Sequence, residues 1–273
     1  TFQSTLTNFK YLRKIWKQNT EEERLLGVSL TGIMDHSVLS KTVDSGRWLE
    51  KLKEEAVLTN QKYAELLDIP QSAAITCVKP SGTVSQLTDS ASGIHARHSE
   101  HYIRTVRADN HDPLTKLMKD EGVVNEPDVM KPDYTSVFSF PIKSPKGAVT
   151  RKDVSAIEQL ELWKIYADKW CEHKPSITVT VKEDEWMVVG AWVYKNFDLI
   201  SGISFLPYDD HVYQQAPYQD CTESEYSSAL LCTPKSIDFS KLSEYEKEDN
   251  TSGNRELACS AGVCEVVDIG DTV

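Results

Sequence analysis

Short apolar segments alternate along the chain with segments of helical length, and this alternation constrains the fold more than any other feature. The predicted strands are residues 25–33, 73–78, 136–142, 177–181 and 199–206. The predicted helices between them are residues 47–67, 153–172 and 183–196, and a further helix has Asp112 as N-cap, Pro113 at its first position and Gly122 at its end. Strands joined by helices of this length pair in parallel, because parallel neighbours need a long crossover. The sequence therefore predicts an α/β fold, either doubly wound or barrel.

The two ends of the chain differ from this body. Apolar residues at helical spacing predict an opening helix; they are Leu6, Phe9, Leu12, Ile15 and Trp16. From Thr222 the composition shifts, and residues 241–255 are charged and nearly free of apolar side chains. We therefore expect an α/β body over residues 1–221, a polar linker over 222–256 and a flexible tail over 257–273.

Charge and hydropathy exclude two classes of partner. Thirty Lys and Arg against 42 Asp and Glu give a net charge of −12, which argues against a broad nucleic-acid footprint. No run of eighteen apolar residues occurs, and the first ten residues lack a signal-peptide pattern. We expect a soluble, cytoplasmic protein with no membrane partner.

One loop has the composition of a phosphate site. The loop follows the predicted strand 73–78 and precedes a predicted helix start; its residues are Pro80, Ser81, Gly82, Thr83, Val84 and Ser85. A glycine lets a ligand approach the backbone closely, and hydroxyls and helix-start amides can donate to phosphate oxygens. A serine- and threonine-rich loop with an N-cap is the alternative interpretation, and the loop's own residues leave both open.

Two cysteines near the end of the chain form the other candidate site. Cys259 and Cys264 enclose four small residues and follow the polar linker. A thiolate on a mobile arm can attack a buried disulfide and carry the oxidising equivalents to an external reductant. Two incidental tail cysteines are the alternative.

The remaining metal- and redox-type residues favour plainer interpretations. His95, His98 and His101 are spaced by three, which places them unevenly on a helix, and no carboxylate triad accompanies them, so we predict a basic loop and strand rather than a metal site. Cys77 and Cys171 are expected to be buried small hydrophobes, and the Cys221-Thr222-Glu223 sequence is interpreted as incidental. No metal is predicted.

Several motifs, in this order, resemble adenosylcobalamin-dependent (class II) ribonucleoside-triphosphate reductases over nearly the whole chain. The motifs are Lys79 to Leu87, Gly93-Ile94-His95, Ser201 to Pro207, Asp210 to Pro217 and the Cys259–Cys264 pair. The resemblance implies the C-terminal part of a ten-stranded α/β barrel, with substrate phosphates bound by the loop from Pro80 to Ser85. It also implies adenosylcobalamin as cofactor, a ribonucleoside triphosphate as substrate, and Cys259 and Cys264 as a shuttle dithiol that a thioredoxin-like reductant regenerates.

The sequence departs from the family at the radical centre. The family's Asn-x-Cys-x-Glu motif is not present, and Gln219-Asp220-Cys221-Thr222-Glu223 approaches it on the wrong side of the phosphate loop. The resemblance thus implies a missing N-terminal portion, located before Thr1, as a further partner. The base-off cobalamin signature is absent too, because Val212, Tyr213 and Gln214 follow Asp210-His211.

Three hypotheses follow from these motifs. The chain is part of such a reductase and contributes to its active site, or it is a non-catalytic split or truncated module that only assembles with the missing half. Without the resemblance, it is an independent α/β enzyme that binds a phosphorylated small molecule. The first two predict that the chain alone is inactive.

Overall fold

A computed structural model describes residues 1–82, 84–208 and 213–247 of the chain. The described residues form two compact units, and each unit is assembled from two separate stretches. The first unit is Thr1–Ala96 with Arg151–Tyr208, and the second is Arg97–Thr150 with residues 213–247. The chain passes between units near residues 96, 150 and 208, so the boundary expected at residue 221 is not one of these positions. As a division between reductase barrel and tail, that boundary stays a prediction.

Helices and strands follow one another in the order expected for a mixed α/β chain. The helices are α1 (Lys14–Glu23), α2 (Ser45–Leu66), α3 (Val84–Leu87), α4 (Pro113–Asp120), α5 (Ala156–Lys169), α6 (Trp186–Lys195), α7 (Glu223–Cys232) and α8 (Leu242–Tyr245). The strands are β1 (Val28–Ser29), β2 (Thr76–Cys77), β3 (His101–Asp109), β4 (Asn125–Pro127), β5 (Thr135–Lys143), β6 (Ile177–Val181), β7 (Ile203–Pro207) and β8 (Tyr218–Asp220).

The first unit contains the parallel pairing that the sequence predicts. β1 pairs with β2, and β6 pairs with β7 over five residues, from Ile177 opposite Ile203 to Val181 opposite Pro207. Helix α5 lies on this layer and presents Leu160, Trp163 and Tyr166, all with no exposed surface, while Val179 and Val181 of β6 are equally buried. The core of this unit therefore lies between α5 and the β6–β7 pair.

The second unit differs from the prediction, because its sheet is antiparallel. Its strand order is β4-β5-β3-β8, and β3 pairs with β5 over nine residues, from His101 opposite Lys143 to Asp109 opposite Thr135. A prediction of parallel pairing throughout is wrong for this region. The physical reason is that the chain between β3 and β5 forms α4 and the edge strand β4, which pairs antiparallel with β5, so no crossover to a parallel neighbour is made.

Both ends of the body also differ from expectation. The opening helix begins at Lys14 rather than near Leu6, and none of its residues is buried. The strand expected at residues 25–33 is reduced to Val28–Ser29. In the stretch expected to be a polar linker, Thr222 accepts the amide of Glu225 and the Glu225 carboxylate accepts the amide of Thr222, so a capping box starts α7. That part of the predicted linker is therefore helical.

No helix within the described residues combines the length and the apolar character that crossing a bilayer requires.

Candidate functional site

The predicted phosphate loop lies in the first unit, between β2 and α3, and neighbouring hydroxyls hold its first half. The amide of Ser81 donates to Ser92 Oγ at 3.0 Å, and the Ser81 and Thr31 hydroxyls share a hydrogen bond of 2.8 Å. The amide of Lys79 donates to Ser29 Oγ at 3.1 Å. Two other segments, one that contains the end of β1 and one after α3, thus fix the start of the loop.

Ser85 has a structural part in this loop. Its side chain is fully buried, and its hydroxyl and its amide both donate to the carbonyl oxygen of Ser81. The hydroxyl proton of Ser85 is therefore engaged within the loop, whereas Ser81 and Gly82 are half-buried and Val84 is exposed. Thr83 lies outside the described residues. The assignment of the six loop residues to phosphate binding stays a prediction.

Gly93 lies where the segment that follows α3 passes close to the start of the loop. Its φ is +55°, and a Cβ at this position would lie 3.0 Å from the carbonyl oxygen of Lys79. Its amide donates to Thr31 Oγ1 at 2.9 Å, so the same threonine contacts both Ser81 and Gly93. A left-handed backbone and a close backbone approach both favour glycine here.

Changing Gly93 to alanine is expected to destabilise the first unit by about 2 kcal/mol, because the left-handed conformation and the contact with Lys79 O both oppose a side chain. Gly190→Ala is the matched control: Gly190 lies within α6, and a Cβ there meets nothing within 4 Å. The free energy of unfolding of the control variant should be higher than that of the wild type by about 0.5–1 kcal/mol. Urea unfolding of the three proteins measures the difference, and equal midpoints for both variants would contradict the close approach.

His95 follows this glycine and has both ring nitrogens bonded. The amide of Thr178 in β6 donates to His95 Nε2 at 3.1 Å, and His95 Nδ1 lies 3.0 Å from the carbonyl oxygen of Ser92. An amide can only donate, so Nε2 is an acceptor and the neutral ring carries its proton on Nδ1, which donates to Ser92 O. Desolvation by burial lowers the pKa of His95, in keeping with the neutral form.

The other two histidines of the predicted basic segment lie in the second unit. His98 Nε2 is 2.8 Å from Asp220 Oδ1, and its ring stacks on Tyr218. His101 is buried at the start of β3 with its ring against that of Tyr226. Among the described residues no three histidine, cysteine or carboxylate side chains are grouped to hold a metal ion.

Desolvation raises the pKa of two of the described cysteines, Cys171 and Cys221. Cys77 is buried, and the pKa of Cys171 is raised to about 12 by desolvation in spite of a hydrogen bond from the amide of Val78. Desolvation together with the charges of Glu225 and Asp220 raises the pKa of Cys221, which directly precedes the capping box of α7. The Cys221-Thr222-Glu223 sequence is thus explained by the start of a helix. Cys259 and Cys264 lie outside the described residues.

In the segment before β8, the side chain of Gln215 makes hydrogen bonds to the second unit. Gln215 is buried with φ of +59°; its Oε1 accepts the amide of Val129 and its Nε2 donates to the carbonyl oxygen of Pro127 at 2.7 Å. The Gln215 carbonyl oxygen accepts from Arg107. This part of the Asp210–Pro217 motif therefore fastens the chain to the second unit's sheet, and residues 209–212 lie outside the described residues.

Comparison with known proteins gives these features a family context. No protein-family model matches the chain. An adenosylcobalamin-dependent ribonucleoside-triphosphate reductase of Euglena gracilis is 28% identical over 255 residues, which is 91% of this chain and 35% of that protein. A probable reductase of the same name from Dictyostelium discoideum is 30% identical over 89% of this chain and 32% of that protein. This chain is homologous to a part of these reductases. The resemblance expected from the motifs is confirmed.

The fold agrees with this result. The crystal structure of a B12-dependent (class II) ribonucleotide reductase superposes with a TM-score of 0.73 at 23% identity, covering 90% of this chain and 38% of that one. The expected reductase-type α/β fold is thus confirmed, although the described strands form separate sheets of two, four and two strands rather than a closed barrel. The chain spans about a third of the length of the curated relatives it matches.

Sequence reasoning missed the residues that hold the loop. Thr31, Ser92 and Thr178 contact Ser81, Gly93 and His95 from other segments. Each is an ordinary small residue in its own segment, so no local pattern distinguishes it. The Gly93-Ile94-His95 motif was the only signal near this part of the site.

Proposed function

We propose that this chain is the C-terminal portion of an adenosylcobalamin-dependent ribonucleoside-triphosphate reductase and supplies the substrate-phosphate loop and the shuttle dithiol of the complete enzyme. The observation that carries the proposal is the similarity to reductases of this name over about nine tenths of the chain. The order of motifs within the chain supports the C-terminal placement. The substrate is a ribonucleoside triphosphate and the external reductant is thioredoxin-like.

The geometry of the loop supports a phosphate-binding role. Ser81 is held through its amide and its hydroxyl, and Ser85 donates from its hydroxyl to the carbonyl oxygen of Ser81, so hydrogen bonds fix the positions of these two residues. A loop that is ordered before the ligand arrives loses less conformational entropy on binding. Gly82 lies next to Ser81 and has no side chain to keep a phosphate from its backbone.

The cofactor belongs to the complete enzyme. When bound, adenosylcobalamin supplies the radical chemistry implied by the family. A groove between α2 and α5 has a volume of about 390 Å³ and is lined by Glu50, Lys53, Glu54, Val57, Leu58, Asp168 and Lys169. Its size is that of a small-ligand site and five of its seven side chains are charged, so it does not fit a corrin ring.

A reconstitution assay tests the proposal. The chain alone is expected to form no deoxynucleotide from CTP with adenosylcobalamin and dithiothreitol, because the thiyl-cysteine motif is absent from its sequence. The complete protein, with the remaining part joined or supplied as a second polypeptide, is expected to be active. Deoxynucleotide formation by the chain alone would contradict the proposal.

The alternative function is a non-catalytic split or truncated module that acts only by assembling with the missing half. It predicts binding between the two parts with no gain of activity. The same assay separates the two, because only the first function predicts that the assembled complex is active. In that active complex, Ser81→Ala should raise the KM for CTP if the loop contacts substrate.

A further inference from the structure

The phosphate loop is connected to β6 by a short series of hydrogen bonds that passes through His95. The amide of Ile177 donates to Gly202 O, toward β7, and successive amides of a strand alternate in direction, so the amide of Thr178 points away from β7. That amide donates to His95 Nε2, and His95 Nδ1 donates to the carbonyl oxygen of Ser92. Ser92 Oγ then accepts the amide of Ser81.

We propose that His95 is a positioning residue for the phosphate loop: as a neutral imidazole with its proton on Nδ1, it ties Ser92 to the edge of β6, and Ser92 in turn orients Ser81. This inference rests on the proposed function of the loop. It assigns to the histidine of the Gly93-Ile94-His95 motif a task that is distinct from metal binding and from contact with substrate.

Two features make the histidine suited to this task. Its ring donates at one nitrogen and accepts at the other, so it can join a backbone amide to a backbone carbonyl. The carbonyl oxygen of Ser92 accepts from His95, and its hydroxyl oxygen accepts the amide of Ser81. A shift of the Ser92 backbone therefore also moves the hydroxyl that holds Ser81. Gly93 between them allows the left-handed turn that brings the ring back toward β6.

Three substitutions separate the two hydrogen bonds from simple packing. His95→Leu fills similar space and makes neither bond. His95→Gln places an amide oxygen where Nε2 lies and can accept from Thr178, whereas His95→Asn places an amide nitrogen where Nδ1 lies and can donate to Ser92. His111→Leu, in the second unit, is the control for loss of a histidine elsewhere.

The first measurement is the NMR spectrum of the 273-residue chain labelled with 15N-histidine. The histidine signal that vanishes in His95→Gln is expected to come from a neutral ring protonated at Nδ1 at pH 7. The Ser81 amide should exchange its hydrogen roughly tenfold faster in His95→Leu than in the wild type. The two hydrogen bonds of His95 are lost in this variant, and the local opening that permits exchange then becomes easier by about this factor. A ring protonated at Nε2, or unchanged exchange at Ser81, overturns the proposal.

The second measurement is the dissociation constant for CTP, obtained by calorimetry. His95→Leu should weaken binding by roughly tenfold, His95→Asn and His95→Gln should each recover part of it, and His111→Leu should not change it. Equal affinity of His95→Leu and wild type overturns the positioning role. If the wild type itself binds no CTP, the proposed function of the loop is contradicted, and the Ser81 exchange rates still decide whether His95 orients the loop.

Discussion

Changing Cys259 or Cys264 to serine in the complete reductase is expected to stop multiple turnover with thioredoxin as reductant, while one turnover per active site survives. In the proposed function, each reduction of substrate oxidises a buried dithiol to a disulfide. A tail thiolate attacks one sulfur of that disulfide and forms a mixed disulfide. The second tail thiolate then displaces the buried thiol and leaves a tail disulfide for thioredoxin to reduce. Serine cannot perform either step.

Deoxynucleotide formed per site, followed over time, measures this effect as an initial burst without a steady state. Small dithiols can reach the buried disulfide directly, so dithiothreitol should restore more activity than thioredoxin does. Cys232→Ser is the matched control, because Cys232 is an exposed free cysteine at the end of α7 and should be dispensable. Normal turnover of the Cys259→Ser, Cys264→Ser double variant with thioredoxin alone would show that the tail cysteines are incidental.

Trp163→Ala is expected to give the largest loss of stability in the first unit, about 3–5 kcal/mol. Trp163 has no exposed surface, lies on the face of α5 that forms the core, and donates from Nε1 to Pro175 O at 3.2 Å. Its ring also packs edge-to-face against the ring of Trp192. Truncation removes all of these contacts and leaves a cavity that the surrounding helix and strands cannot fill.

Urea unfolding measures the loss as a shift of the midpoint at constant slope. Trp163→Phe keeps most of the buried ring and removes the Nε1 hydrogen bond, so it should cost less than the alanine variant. Tyr194→Ala is the control on the neighbouring helix α6, where the ring is 87% exposed, and should change stability by no more than about 0.5 kcal/mol. A Trp163→Ala midpoint equal to that of the control would contradict the assigned core.

Elements with strong local signals could be predicted from the sequence. Strand β6 has its predicted bounds because apolar residues alternate within it and its buried residues follow that alternation. Helix α4 begins at Pro113 after Asp112, whose side chain accepts the amide of Leu114, as the N-cap pattern predicts. Where a local rule decides the structure, the sequence is sufficient.

Other parts depend on partners far along the chain. Strand β3 contains His101, Arg104 and Arg107, so its composition does not indicate that it pairs with β5 along its whole length. Ile75 next to β2 donates to the carboxylate of Glu172, 97 residues away, and no periodicity marks that glutamate. The candidate loop was predictable from its glycine and hydroxyls, whereas its supports at Thr31 and Thr178 were not, because they act through hydrogen bonds to residues far along the chain.

The contacts at Thr76 and Thr178 determine at which edge each parallel strand pair of the first unit can accept a further strand. Thr76 O in β2 accepts the amides of Glu172 and His173, and its amide donates to the Glu172 carboxylate, so this position already has its partners. His95 occupies the corresponding position at Thr178 in β6. Within the described residues, β1 and β7 pair with one strand each, and Val28 and Ser29 of β1 are exposed. In the complete reductase of the proposed function, further strands are therefore expected to join at β1 and at β7, the edges that lie opposite these contacts.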